Sequence, residues 1–189
     1  MTKEEKIDLL TRAHVLQNGH FRLTSGRHSD RYMQCARVFE DAKYAEPICA
    51  DIADGFRDAG VELVIGPALG GIIISYEVSR ALGVRNLFAE RENGVMTLRR
   101  GFAIEPGTRV LVVEDTITTG GSVREVIELV TRMGGVVVGV GAVVDRSNGK
   151  VDFGVPLCAA VSMEVVSWEE GDCPLCKEGR PIQKPGSRA

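Results

Sequence analysis

Apolar positions change rhythm along the chain. In the first sixty residues they fall at helical intervals in two stretches with a mixed stretch between. Thr2 and Glu5 stand at capping-box spacing, and Leu9, Ala13 and Leu16 then share one face, which predicts a first helix running to Gly19. From His20 to Cys35 the residues are rich in Arg, Ser and His around Ser25-Gly26, the pattern of short extended segments joined by a turn. Ala45, Ile48, Cys49, Ile52 and Phe56 mark a second helix, closed by Gly60.

Beyond Gly60, short apolar runs and helical stretches alternate. Leu63-Val64-Ile65 breaks at Gly66-Pro67, and Ile74, Val78, Ala81 and Leu82 mark the helix that follows, with Gly83 as its stop. Asn86 to Ala89, Val110 to Val113 and Val136 to Val144 read as further strands. Between the last two, Val123, Val126, Ile127 and Val130 line one helix face. Strands that are apolar on both faces and alternate with helices imply βαβ units, so the expected fold is α/β with an open, doubly wound parallel sheet. Asn93-Gly94, between Phe88–Glu92 and Val95–Phe102, predicts a β-hairpin arm projecting from that sheet as a candidate lid. The tail after Trp168 carries three of the seven prolines and no helical period, so it is expected to be irregular. The expected organisation is a single domain over 1–189, with a core at about 41–154 and a small hood from about 1–40 and 155–189.

Composition narrows the ligand class. Hydrophobic residues at 44% and charged ones at 26% are ordinary for a soluble chain, while 5% aromatics and 22 glycines suit an aliphatic sheet whose loops approach small ligands. A net charge of −3 argues against nucleic acid as the main partner but leaves small anions open, since these need only a local site. The longest apolar stretch, Met133 to Val144, is interrupted by four glycines and is shorter than the ~18–20 residues of a membrane helix. Met1 to Leu10 is charged and lacks the apolar core of a signal peptide. Five cysteines, an odd number, read as reduced thiols, so a cytoplasmic location is expected.

The stretch from Val110 to Ser122 carries the chemistry. Four aliphatics bury a strand, Glu114 and Asp115 stand at its carboxyl end, and Thr116, Ile117, Thr118, Thr119, Gly120 and Gly121 form a loop entering a helix at about Ser122. Open α/β sheets bind ligands at the carboxyl ends of strands. A Thr/Gly/Ser loop at a helix start offers N–H groups, hydroxyls and the positive end of a dipole to a phosphate. The two carboxylates have the wrong sign for phosphate. They fit a ligand that also brings ribose hydroxyls, a bound Mg²⁺ or a carbon that becomes cationic. A plain helix-start charge pair is the simpler account of two such acids, but the whole thirteen-residue context favours a sugar-phosphate site. A Walker A loop is excluded, because no lysine lies between Lys43 and Lys150. Gly139 and Gly141 fall inside an apolar strand and read as packing rather than as a dinucleotide fingerprint.

This stretch resembles the phosphoribosyl-pyrophosphate (PRPP) signature of the type I phosphoribosyltransferases along its full length. Phe21 to Ser29, Gly66-Pro67-Ala68-Leu69-Gly70-Gly71 and Val144-Asp145-Arg146 resemble the N-terminal segment, the pyrophosphate loop and the strand-end arginine of the orotate phosphoribosyltransferases. The resemblance implies transfer of ribose 5-phosphate from PRPP to orotate, yielding orotidine 5′-phosphate and pyrophosphate in de novo pyrimidine (UMP) biosynthesis. It implies Mg²⁺ carried mainly by PRPP without a direct protein metal site, and a homodimer whose arms close over neighbouring sites. PRPP would be bound by Glu114 and Asp115, by Thr116 to Ser122, by Gly70 and Gly71, and by Arg91 of the arm. Glu114 and Asp115 would also be catalytic, and Thr118 and Arg146 would bind orotate. The alternatives are a transferase acting on a purine or other base and a non-catalytic PRPP-binding regulator. The latter normally adds a DNA-binding domain, and no basic recognition helix is visible.

Some residues carry weaker signals. The arm has Arg99 and Arg100 where many family members carry lysines and a histidine, and these read equally as a solvated hairpin face or as pyrophosphate contacts. Thr24 and Gly70 stand where some relatives place lysine. Cys173-Pro174-Leu175-Cys176 has the spacing of half a zinc site, but no second such pair follows, so it reads as structural. Of the three histidines, His28, beside Arg27 and Ser29, is the one expected to contact substrate.

Overall fold

The strand Arg109–Ile117 (β6) explains the layers of the molecule. Its pleat sends Val110 and Val112 to one face of a sheet and Leu111 and Val113 to the other, and all four are fully buried. Each such burial is worth ~1.5–3 kcal/mol relative to exposure. The structure is a computed structural model and describes residues 1–23, 25–164 and 166–184. Thr24, part of the N-terminal resemblance, lies outside the described residues.

In chain order, helix α1 (Lys3–Arg12) leads into an antiparallel pair, β1 (Leu16–Arg22) and β2 (His28–Met33), and then α2 (Ala42–Asp54). Strand β3 (Leu63–Pro67) and α3 (Gly70–Leu82) follow, then the hairpin of β4 (Arg85–Glu92) and β5 (Val95–Thr97). After β6 come α4 (Gly121–Arg132), β7 (Val136–Asp145), β8 (Leu157–Ser162) and the short α5 (Pro174–Lys177). The main sheet has six strands in the order β5-β4-β3-β6-β7-β8, all parallel except β5. One face packs Val64, Leu111, Val113 and Val143 against α1, α2 and α3. The other packs Leu63, Ile65, Val110 and Val112 against α4 and the chain around Ile104.

The expected doubly wound sheet is therefore present, with local differences. The first helix ends at Ala13, because His14 takes φ +54° and turns the chain, and Leu16 opens β1 rather than extending the helix. The capping box itself is formed, with Thr2 and Glu5 accepting each other's backbone N–H groups. The sheet extends past residue 154, the expected limit of the core, because β8 pairs in parallel with β7. Gly139 and Gly141 are packing residues as expected: added Cβ atoms there would come within 2.2 Å of Phe56 and 2.7 Å of Ile52. Asn93 and Gly94 form the hairpin turn at φ +51° and +83°. The returning strand spans only Val95–Thr97, however, and Met96 is buried in the core, so just the tip projects. In the tail, Trp168 and Gln183 pair with His28 and Phe21, which fastens this segment to the N-terminal hairpin.

Candidate active site

The strand order fixes where a ligand can enter. From β3 the chain moves outward to β4, then returns to β6 on the other side of β3, so the loops after β3 and β6 part at a crevice between them. Those loops are 68–69 and 118–120, inside the two stretches singled out in the sequence; Thr116 and Ile117, expected in the loop, still belong to β6, and α4 starts at Gly121 rather than Ser122.

Alternation along β6 divides the two acids. Asp115 continues the Leu111–Val113 face toward α3. An added Cβ at Gly70 would lie 2.8 Å from Asp115 Oδ2, so the absence of a side chain at Gly70 lets the loops meet. Glu114 continues the opposite face, and with Thr116 to Val123 it lines a small polar cavity at the start of α4. Burial, and the charge of Asp115, push the Glu114 carboxyl up to about 8. Burial likewise raises Asp115, although hydrogen bonds from Glu114 and the Thr116 backbone oppose it. Burial therefore disfavours the charged forms of both acids, and a cationic ligand centre at the crevice floor would favour them.

The helix starts at this crevice are open. Gly120 precedes α4 at φ +75°, and no side chain caps the helix. The first helical bond runs from Arg124 N–H to the Gly120 carbonyl, so the N–H groups of Gly121, Ser122 and Val123 have no helical acceptor. Helix α3 likewise begins at Gly70 without a side-chain cap. Thr118 and Thr119 are exposed beside these donors, whereas the Ile117 side chain is buried and only its backbone faces the loop.

Arg146 joins the same edge. Its N–H donates to the Ile117 carbonyl at 2.8 Å, which sets it next to Thr118, and its buried Nε has no hydrogen-bond partner among the described residues. An unpaired guanidinium N–H is a donor suited to an anion. Sequence reasoning missed Cys35, whose thiol faces Thr116, Asp115, Arg146 and Glu114 and is pushed by burial up to about 12, so it is neutral. A lone cysteine in a mixed segment carries no signal that would have found it.

Other expected residues lie elsewhere. Arg91 is bonded to Glu125 of α4 and to the Gly94 carbonyl rather than to the crevice loops. Arg99 and Arg100 pair with Glu92 and Glu90 of the same hairpin, which is the solvated-face arrangement. His28, expected at the substrate, is instead buried against His20 and Cys176, because β2 turns it toward the tail.

Comparison with known proteins gives a consistent picture. The model of the phosphoribosyl transferase domain matches residues 39–153. The chain is 62% identical over 188 residues to the orotate phosphoribosyltransferase of Pelotomaculum thermopropionicum, covering 100% of this chain and 99% of that one. It is 56% identical over 188 residues to that of Desulforamulus reducens, covering 100% and 98%. Among solved structures, Mycobacterium tuberculosis H37Rv orotate phosphoribosyltransferase in complex with inorganic phosphate superposes with a TM-score of 0.70 at 27% identity, covering 85% of this chain and 95% of that one.

Proposed function

The chain belongs to the phosphoribosyl transferase family, among its orotate phosphoribosyltransferases, and from that premise we propose how this site carries ribose 5-phosphate from PRPP to orotate. The C1′–O bond to pyrophosphate breaks, a C1′–N bond to orotate forms, and orotidine 5′-phosphate leaves for pyrimidine synthesis. The observation that carries the assignment of residues is a pair of helix starts without side-chain caps at the ends of the adjacent strands β3 and β6, with Asp115 beside Gly70 at the one and Glu114 lining the cavity at the other.

The 5′-phosphate is held by the N–H groups and hydroxyls of Thr116 to Ser122, with the dipole of α4 behind them. Pyrophosphate lies against the backbone at Gly70 and Gly71, the uncapped start of α3, where Gly70 leaves room for Asp115 and Gly71 packs on Gly66 and Pro67. Glu114 and Asp115 hold the ribose hydroxyls and stabilise the oxocarbenium character that develops on C1′ as the leaving group departs. Thr118 hydrogen-bonds orotate, and Arg146 takes its carboxylate.

Mg²⁺ suits this donor set. Two hard carboxylates are too few for a protein cage but sufficient beside an ion that keeps its waters and substrate oxygens. Bound mainly through PRPP, it supplies neutralisation of the pyrophosphate charge, and Glu114 and Asp115 are the protein groups that would face it.

Arg91 reaches PRPP only after leaving Glu125. That ion pair is about half exposed, and exposed pairs are worth ~0.2–1 kcal/mol, so a polyanionic substrate outcompetes it. A homodimer fits the surface of α3, where Leu69, Ile73 and Tyr76 are exposed at 84%, 49% and 57% on one helical face beside the pyrophosphate loop. Light scattering of the purified chain at twice the monomer mass supports that pairing, and a monomer refutes it. Residence in the cytoplasm fits the five free thiols.

The assay mixes purified protein with PRPP, Mg²⁺ and orotate and follows orotate absorbance. Turnover is expected. Its absence, with activity on hypoxanthine or uracil instead, would overturn the choice of base.

A further inference from the structure

The half-site of Cys173 and Cys176 finds its second pair in the N-terminal hairpin. His20 at the end of β1 and His28 at the start of β2 bring ring nitrogens to the two sulfurs, and all four donor atoms lie within 4.8 Å of one another. His20 Nε2 is 3.2 Å from His28 Nδ1, 3.5 Å from Cys173 Sγ and 3.6 Å from Cys176 Sγ, and His28 Nδ1 is 3.2 Å from Cys176 Sγ. A tetrahedral zinc bound at ordinary lengths would separate two nitrogens by about 3.3 Å and a nitrogen from a sulfur by about 3.6 Å. The observed spacings are close to those edges.

The tautomer is set for ligation. His20 Nδ1 lies 2.9 Å from the Arg180 carbonyl, which can only accept, so the ring proton sits on Nδ1 and the Nε2 lone pair faces inward. Three further polar atoms crowd that one lone pair, and a cation at their centre would satisfy all four. His20, His28 and Cys173 are 4%, 2% and 0% exposed and Cys176 is half-buried, and four protein ligands leave a tetrahedral ion no open position for catalysis. Two thiolates would also balance a divalent charge, so the filled site is neutral and suits burial.

We propose that His20, His28, Cys173 and Cys176 form a structural zinc site that ties the tail to the N-terminal hairpin, separate from the crevice and from the Mg²⁺ that accompanies PRPP. Soft sulfur with imidazole selects zinc over magnesium. The cross-link lies where apolar burial is thin. Around it the tail is held by backbone pairing at Trp168–His28 and Gln183–Phe21 and by Arg27, which bonds Ser167 and Glu169. A metal supplies there the stability that a small core cannot.

The test uses the full chain, purified without chelator. Elemental analysis is expected to give one zinc per chain, and Cys176→Ser and His28→Ala each to lower zinc affinity at least tenfold while orotate turnover remains measurable. Should those variants fail to fold, wild type exchanged into Co²⁺ decides the matter, with intense visible bands and sulfur-to-cobalt charge transfer expected for a tetrahedral S₂N₂ site. Chelation is expected to lower the Tm, with recovery on adding zinc but not magnesium. A chain that purifies without zinc and gives no tetrahedral cobalt spectrum overturns the proposal. So does zinc that both variants retain at wild-type affinity.

Discussion

The four long helices among the described residues fall into two pairs by the way they begin. In α1 and α2, away from the crevice, Thr2 accepts from the Glu5 N–H and Asp41 from the Lys43 N–H, so their first turns are closed by side chains. In α3 and α4, which start after the adjacent strands β3 and β6 on opposite faces of the sheet, no side chain among the described residues does so. A cap commonly contributes ~0.5–2 kcal/mol, and this chain omits it at the two helices whose free N–H groups an anion would meet. Under the proposed binding of PRPP, the difference teaches that capping is withheld where a ligand would complete the helix and supplied where nothing else will.

Substitutions test that contrast in order of size. Asp115→Asn is expected to lower kcat by ~10²–10³ while leaving the Tm within a few degrees, because it removes a preorganised charge without opening a cavity. Near-normal steady-state turnover would remove Asp115 from the reaction. Arg146→Ala is expected to raise the KM for orotate roughly 10–100-fold, the scale of a lost charge-assisted hydrogen bond, with the KM for PRPP little changed. Equal rises in both would show that Arg146 does not read the base.

A smaller effect follows from Glu114. Its folded pKa of about 8 lies above the ordinary carboxylate value of 4.5, so the folded state binds a proton that the unfolded state gives up. Stability is therefore full below about pH 4.5 and is lost as pH rises through about 8. The ligand-free Glu114→Gln protein should melt at the same temperature as wild type in acid and several degrees above it at pH 9, as followed by calorimetry. A constant offset across pH would contradict the strain assigned to this acid. The smallest expected change is at a closed helix. Thr2→Ala should cost ~1 kcal/mol in urea unfolding and leave both KM values unaltered; a change in PRPP binding there would break the distinction between the pairs.

Much of this arrangement was legible along the chain, because it is written in consecutive residues. The run from Val110 to Ser122 shows a buried strand, two acids and a donor-rich loop without reference to anything distant, and Gly70-Gly71 shows the opposing loop in the same way. What was not legible depends on meetings across the fold. Nothing near Arg91 announces Glu125, and nothing near Cys176 announces His20, since those contacts are set by how β4 and the tail pack. Strand β8 has small, half-buried residues in Leu157–Cys158–Ala159 and gives too weak an alternation to read. Leu16 kept a helical interval by chance, and only the positive φ of His14 moved it into a strand. The uncapped state of α4 is a local feature, but its meaning appears only when β3, which leads into the equally uncapped α3, pairs beside β6.

The central claim is that the open helix starts bind the anionic ends of PRPP, and amide NMR tests it most directly. With ¹⁵N-labelled protein, PRPP and Mg²⁺ in the absence of orotate, the account predicts large shifts for the N–H groups of Gly70, Gly71, Gly121, Ser122 and Val123, with those of Glu5 and Lys43 unmoved. Saturable PRPP binding that leaves the first turns of α3 and α4 unperturbed would contradict it.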